Sequence, residues 1–266
     1  MSVVIDPTTI SSIVSEELPL VKFHTARLLA QTIDATEGDV LYVQDVTPQV
    51  YYIPGKYRES KGRGFRFKRF YPEQSRLIIT IPTECHEYMH NELDYQIMRQ
   101  IDDMGLGWLP CGGATYKQQP GGAAGEGDSS GRPFEPQDRP WTTLVIEAGY
   151  SQPLEAMRRE LKWWFSKSNH KVKIVLLVKM HSPSRQEITI RDVARRSIRS
   201  MTLRAIGGDS SLRPYLQQTI NIARALDANP ILPESNCITG GALRLEFADL
   251  FDRQPREGER DIIIQD

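Results

Sequence analysis

The chain has 266 residues, with 33 Lys+Arg against 34 Asp+Glu and a net charge of -1. Hydrophobic residues make up 39% and charged residues 25%, enough apolar material for a sizeable core. Bulk charge this close to neutral excludes a cationic protein that coats nucleic acid or anionic lipid, while leaving room for local basic patches.

The N-terminal MSVVIDPTTISS lacks a basic region followed by a long apolar stretch, so no secretory signal is read. Residues 1–35 read as one or two short helices: TTISSIVSEELP carries Thr/Ser caps and FHTARLLAQTI is moderately amphipathic. VLYVQDV and QVYYIPG read as strands. KYRESKGRGFRFKRF follows, with seven basic residues and one acid between Lys56 and Arg69 and with Tyr57, Phe65 and Phe67 interleaved. It reads either as an exposed hairpin whose FRFKRF alternation is half buried, or as a phosphate-tracking strip with stacking aromatics. On the second reading Lys61, Arg63, Arg66, Lys68 and Arg69 would contact nucleic acid.

RLIITIP reads as a buried strand ended by Pro82, and Thr83 as a helix N-cap. Apolar residues at 85, 89, 93, 97, 101 and 104 form a helical stripe, stopped by Gly105. GWLPCGGATYKQQ reads as a strand, PGGAAGEG as a flexible loop and EGDSSGRP as a strand end. WTTLVIEAG reads as a buried strand and SQPLEAMRRELKWWFSKSN as an amphipathic helix with Leu154, Met157, Leu161, Trp164 and Phe165 on one face. VKIVLLVKM and EITIRDV read as further strands, about Leu212 to Asp227 as a helix, and GALRLEFADLF as a strand turning into a helical turn. The longest apolar run, Ile174 to Val178, is too short to cross a bilayer, so no membrane partner is expected. Cys85, Cys111 and Cys237 have neither a disulfide framework nor zinc-ligand spacing. A reducing compartment, cytoplasm or nucleus, is the expectation.

From Glu84 to Met180 the order is therefore helix, strand, strand, strand, helix, strand. Asp128 falls in the second strand region and Glu147 near the end of the third. An acid closing a run such as LVIE needs a partner, because an unpaired buried charge is costly. A divalent cation held between Asp128 and Glu147 would supply it, and oxygen-only ligands favour Mg²⁺ or Mn²⁺. Glu87, with Glu92 as the lesser candidate, is a third acid on the preceding helix. The alternatives are a turn-forming Asp128, a structural ion-pair Glu147 and solvated helix acids. His86 and His90 are four apart, a metal-ligand spacing, with no third ligand evident beside them.

This pattern resembles the PD-(D/E)xK restriction-endonuclease-like fold. More narrowly, PTECHEYMHNELD, GEGDSSGRP, WTTLVIEAGYSQPLEAMRRELKWWFS and VKIVLLVK resemble a group of fungal proteins related to bacterial restriction-endonuclease domains. The resemblance covers roughly residues 78–195, with a weaker echo in GALRLEFADLFDRQPREGERDIII. It implies an α/β fold with a mixed central sheet, divided into an N-terminal extension at 1–75, a nuclease-like core at 76–195 and a C-terminal elaboration at 196–266 packing on the core. It also implies Mg²⁺-dependent hydrolysis of phosphodiesters, with DNA as partner and a homodimer as one assembly. Asp128 and Glu147 would be the metal ligands and Glu87 the helix acid.

Two departures stand out. The family lysine belongs two residues after the glutamate, where this chain has Gly149, and Gly127 replaces the proline before the aspartate. In some relatives the lysine moves to the next helix, where Lys162 is favoured over Arg158; Gln152 could orient phosphate or water. Arg158, Arg195, Arg196, Arg199 and Arg204 would hold the nucleic-acid backbone. The competing reading is a nuclease-like fold without catalysis that binds nucleic acid or protein.

Overall fold

A computed structural model of the chain describes the backbone of residues 20–60, 64–135, 140–180, 187–196, 213–224 and 236–265, and side chains for these except 187–196, 213–214, 223–224 and 236–238. The elements run β1 (Leu20–Lys22), α1 (Ala26–Asp34), β2 (Val40–Gln44), α2 (Tyr52–Ser60), β3 (Arg66–Tyr71), β4 (Arg76–Thr80) and α3 (Glu84–Asp103). There follow β5 (Trp108–Pro110), β6 (Thr115–Lys117), β7 (Ala124–Glu126), β8 (Ser129–Pro133), β9 (Leu144–Gly149), α4 (Leu154–Lys167) and β10 (Ile174–Met180). The chain continues through β11 (Glu187–Arg196), β12 (Arg213–Pro214), β13 (Gln218–Arg224), β14 (Asn236–Thr239), β15 (Leu243–Leu245), α5 (Phe247–Phe251) and β16 (Ile262–Ile264).

These strands form an α/β fold with two large sheets. The six-stranded sheet runs β1-β2-β4-β3-β7-β6; the eight-stranded sheet runs β14-β13-β11-β10-β9-β8-β5, with β12 beside β11. β1 with β2 and β9 with β10 are parallel, and the remaining pairs are antiparallel. The parallel β9–β10 pair is joined through α4, the crossover that parallel neighbours need. Fully buried strands read as continuous apolar runs, and β9 and β10 are buried along almost their whole length.

α3 starts where Thr83 Oγ1 accepts from the His86 N–H, and Gly105 follows it at φ 67°, a conformation glycine adopts without a Cβ penalty. Met89, Leu93, Ile97 and Ile101 pack on one face of β9 and β10, together with Leu245, Phe247 and Leu250 from the C-terminal segment. That segment thus seals the core, and Thr143 Oγ1 bonds the Leu250 carbonyl. Met157, Leu161, Trp164 and Phe165 of α4 cover the opposite face with Val145, Val175 and Leu177.

Several expectations are corrected here. QVYYIPG contributes to α2, not a strand: Pro54 sits in the first turn, where its missing N–H costs nothing. The PGGAAGEG segment is not an unordered loop. Its small residues form β7, fully buried between β3 and β6, and a Cβ on Gly125 would come within 2.7 Å of Trp163. Residues 213–214 and 218–224 are strands rather than a helix, because β13 completes the sheet between β11 and β14. Five strands, not three, separate α3 from α4, and two of them, β6 and β7, join the six-stranded sheet. Residues 75 and 76 stand at the junction of the paired strands β3 and β4, and residues 195 and 196 end β11. Among the described residues no helix is long and apolar enough to cross a membrane.

Candidate functional site

The site is built where β3 meets β9, α3 and α4. Pairing of β3 with β4 shifts register between Phe67 and Arg69, leaving Lys68 as the extra residue of a bulge. The bulge keeps Phe65, Phe67 and Phe70 together in one apolar cluster. It sends the cationic side chains of Arg66, Lys68 and Arg69 toward acids of the other sheet and of α3.

Arg69 is fully buried. Its guanidinium stacks 4.4 Å over the Trp164 ring and 4.9 Å over Trp163, and its NH2 donates to Glu147 Oε1 at 2.5 Å. Trp164 Nε1 donates to the same oxygen at 2.7 Å. Lys68 Nζ lies 3.5 Å from Glu147 Oε2 and 3.7 Å from Glu160 Oε2, and donates to Gln152 Oε1 at 2.7 Å. Burial opposes the Lys68 charge, but Glu147, Glu160 and Asp128 outweigh it and raise its pKa. Burial likewise pushes the Glu160 carboxyl up, against Lys68 and Arg69. Gln152 Nε2 and the Tyr42 hydroxyl both donate to Glu160 Oε1, closing the network.

Asp128 belongs to a second network. Its backbone N–H donates to the Ile146 carbonyl, and its Oδ2 accepts from the Ala148 N–H at 2.8 Å. Its Oδ1 lies 3.1 Å from His86 Nε2 and 3.4 Å from Arg66 NH1. His86 Nδ1 faces Asp39 Oδ2 at 3.4 Å, and Asp39 also accepts from the Tyr150 and Ser151 N–H groups. Burial disfavours the imidazolium, but Asp128 and Asp39 outweigh it and push the His86 pKa up to about 9. The Asp128 carboxyl is held far below the usual range against burial by His86 and Lys68. Arg66 NH2 donates to Glu87 Oε2 at 2.9 Å, His90 Nδ1 meets Ser129 Oγ at 2.8 Å, and burial lowers the His90 pKa.

The structure therefore links Asp128 and Glu87 through Arg66 and ties Glu147 to Arg69 and Lys68, with Asp128 just before Ser129, which pairs with Ile146. The carboxylates part: Asp128 turns to α3 and Glu147 to α4 and β3. Mg²⁺ or Mn²⁺ does not fit between them. Their oxygens already accept from Ala148, Arg69 and Trp164, and Lys68 Nζ stands against the remaining Glu147 oxygen.

Lys162 is not brought to the acids. It is exposed on the outer face of α4, whereas Asp128 and Glu147 are 3% and 2% exposed. Arg158 pairs with Glu155, not Glu147. Lys68 and Arg69 cannot track phosphates, because both are buried and paired; Arg66 is half-buried against Glu87 and Asp128. Glu92 bonds Gln96 in solvent. Lys61, Arg63, Arg199 and Arg204 lie outside the described residues, as do the side chains of Arg195 and Arg196.

Sequence reasoning missed Lys68 and Arg69 as the partners of Glu147, and Asp39 as the partner of His86, since nothing local in the sequence links β3 to β9 or the start of β2 to α3. The histidine spacing at 86 and 90 was legible as metal-ligand spacing, but Glu87, between them in the His-Glu-x-x-His of residues 86–90, was not read as accompanying the pair. The chain matches no family model, and comparison with curated proteins finds no relative.

Proposed function

We propose that this chain is a restriction-endonuclease-like domain that binds nucleic acid without hydrolysing it through Asp128 and Glu147. The succession of α3, the strands β5 to β9, α4 and β10, with Asp128 immediately before β8 and Glu147 on the neighbouring β9, supports the family reading. The observation that carries the non-catalytic part is Glu147. At 2% exposure it is bonded by Arg69 and Trp164 and faced by Lys68, so neither a metal ion nor a scissile phosphate has access to it.

Binding is assigned to the outer face of α4. Arg159 and Lys162 are exposed there, and Arg158 is half-exposed. A groove of about 420 Å³ continues that face between Arg159, Arg76, Tyr71 and Tyr42. Guanidinium groups beside aromatic rings suit a phosphodiester backbone with unstacked bases.

The test is binding of a short DNA, single- and double-stranded, across a salt series, with plasmid nicking assayed in Mg²⁺. Arg159→Ala with Lys162→Ala is expected to weaken binding and to flatten the log K against log salt slope by roughly 2, about 0.9 for each phosphate no longer neutralised. Salt-insensitive binding, or none, would overturn the nucleic-acid assignment. Mg²⁺-dependent nicking that disappears in Glu147→Gln while circular dichroism shows that variant folded would overturn the non-catalytic one.

A further inference from the structure

His86, Glu87 and His90 lie on one face of α3, away from the α4 surface to which binding is assigned. We propose that they form, with Asp128, a binding site for a divalent transition metal of the zinc class. His86 Nε2, His90 Nε2 and Glu87 Oε1 are the ligands, and Asp128 Oδ1 stands beside them as the fourth.

Side chains four apart on a helix share a face, and one ligand atom from each of the three residues lies within 4.8 Å of the others. In a tetrahedral site with bonds of about 2.0–2.1 Å, neighbouring ligand atoms stand about 3.3 Å apart. His90 Nε2 and Glu87 Oε1 are 3.4 Å apart, and His86 Nε2 and Asp128 Oδ1 are 3.1 Å apart.

Two of these atoms, His86 Nε2 and Glu87 Oε1, are buried without a hydrogen-bond partner. Buried polar atoms are almost always satisfied. His86 Nε2 and Asp128 Oδ1, 3.1 Å apart, stand at the separation of two ligands of one cation. The far nitrogens are held as metal-binding histidines require: His86 Nδ1 by Asp39 and His90 Nδ1 by Ser129. Two imidazoles with carboxylates favour zinc, cobalt or nickel over Mg²⁺, which prefers oxygen alone.

Arg66 sets the competition. Its NH2 bonds Glu87 Oε2, and its NH1 lies 3.4 Å from Asp128 and 3.5 Å from His90 Nε2. Its side chain is 23% exposed, enough to swing into water when a metal binds. Arg66 and the metal neutralise the same acids, so they oppose one another.

The test is titration of the full chain with Zn²⁺ and Co²⁺ alone, by calorimetry and by the visible absorption of bound Co²⁺, with circular dichroism confirming the fold of each variant. One equivalent is expected, not displaced by equal Mg²⁺. His90→Gln and Glu87→Ala each weaken binding at least roughly tenfold, while Arg66→Ala tightens it. The opposite sign at Arg66 separates a metal site from an ion-pair network, because removing a structural arginine from such a network would not improve metal affinity. Absence of saturable binding by the native chain, or unchanged affinity in folded His90→Gln, overturns the proposal. His86 is too buried to rely on, and the variants at positions 87 and 90 carry the test without it.

Discussion

Arg69 of the six-stranded sheet and Glu147 of the eight-stranded sheet meet at 2.5 Å, with 0% and 2% of their side chains exposed. The pair joins the two sheets through charge in a region otherwise walled by Trp163 and Trp164. Removing one member of a buried pair strands the other, at a cost of about 3–5 kcal/mol. Arg69→Met and Glu147→Gln are each expected to lose stability on that scale in urea unfolding. The double variant should cost clearly less than the sum, because neither charge is then left alone. Additive losses would show that the two residues act independently.

Gly149 stands where the restriction-endonuclease-like pattern that the sequence resembles would place a lysine, and the structure shows that a side chain there would be crowded. A Cβ there would stand 2.8 Å from Met157 Sδ and 3.0 Å from its methyl, in a core where Met157 is 1% exposed. Lys68 brings an ammonium to Glu147 from β3 instead. Gly149→Lys is therefore expected to destabilise by about 1–3 kcal/mol through overpacking and to produce no Mg²⁺-dependent nicking. Thermal unfolding and the plasmid assay check the two halves separately. A stable, nicking Gly149→Lys variant would show that the position can carry a lysine that serves hydrolysis.

Asp94 on α3 is buried with Oδ1 lacking a hydrogen-bond partner, and burial raises its pKa to about 6. The folded chain therefore holds a proton that the unfolded chain, near pKa 3.9, gives up. Between those values the folded state binds more protons, so stability falls as pH rises from about 4 to about 6 and is level above. Asp94→Asn removes the penalty. It should add about 1–2 kcal/mol at pH 7, a partial share of about 1.4 kcal/mol per pKa unit, and nothing below pH 4. Urea midpoints of both proteins at the two pH values measure it, and an equal gain at both would contradict the assignment.

Much of the core was readable from the chain. The apolar stripe of α3, its Thr83 cap, the buried runs of β9 and β10 and the inner face of α4 each announce themselves through a local period. The errors have physical causes. Small residues at 121–127 look unordered alone and are ordered by close packing under Trp163. The alternation of FRFKRF is broken by a bulge that no local pattern reveals. The stretch 218–224 is held as a strand by neighbours on both sides.

The site divides along the same line. Residue types and spacing within one element picked out Asp128, Glu147 and Glu87 as the acids worth watching, along with the four-residue separation of His86 and His90. Which cation each acid meets could not be read that way. Asp128 meets His86, Glu147 meets Arg69 and Lys68, and Glu87 meets Arg66. Each of those cations except His86 comes from β3, 21 residues away along the chain for Arg66 and Glu87 and 78 for Arg69 and Glu147. Electrostatic partnership depends on distances across the fold, not on local period. The same acid is a metal ligand or a structural anion according to which side chain another sheet delivers beside it.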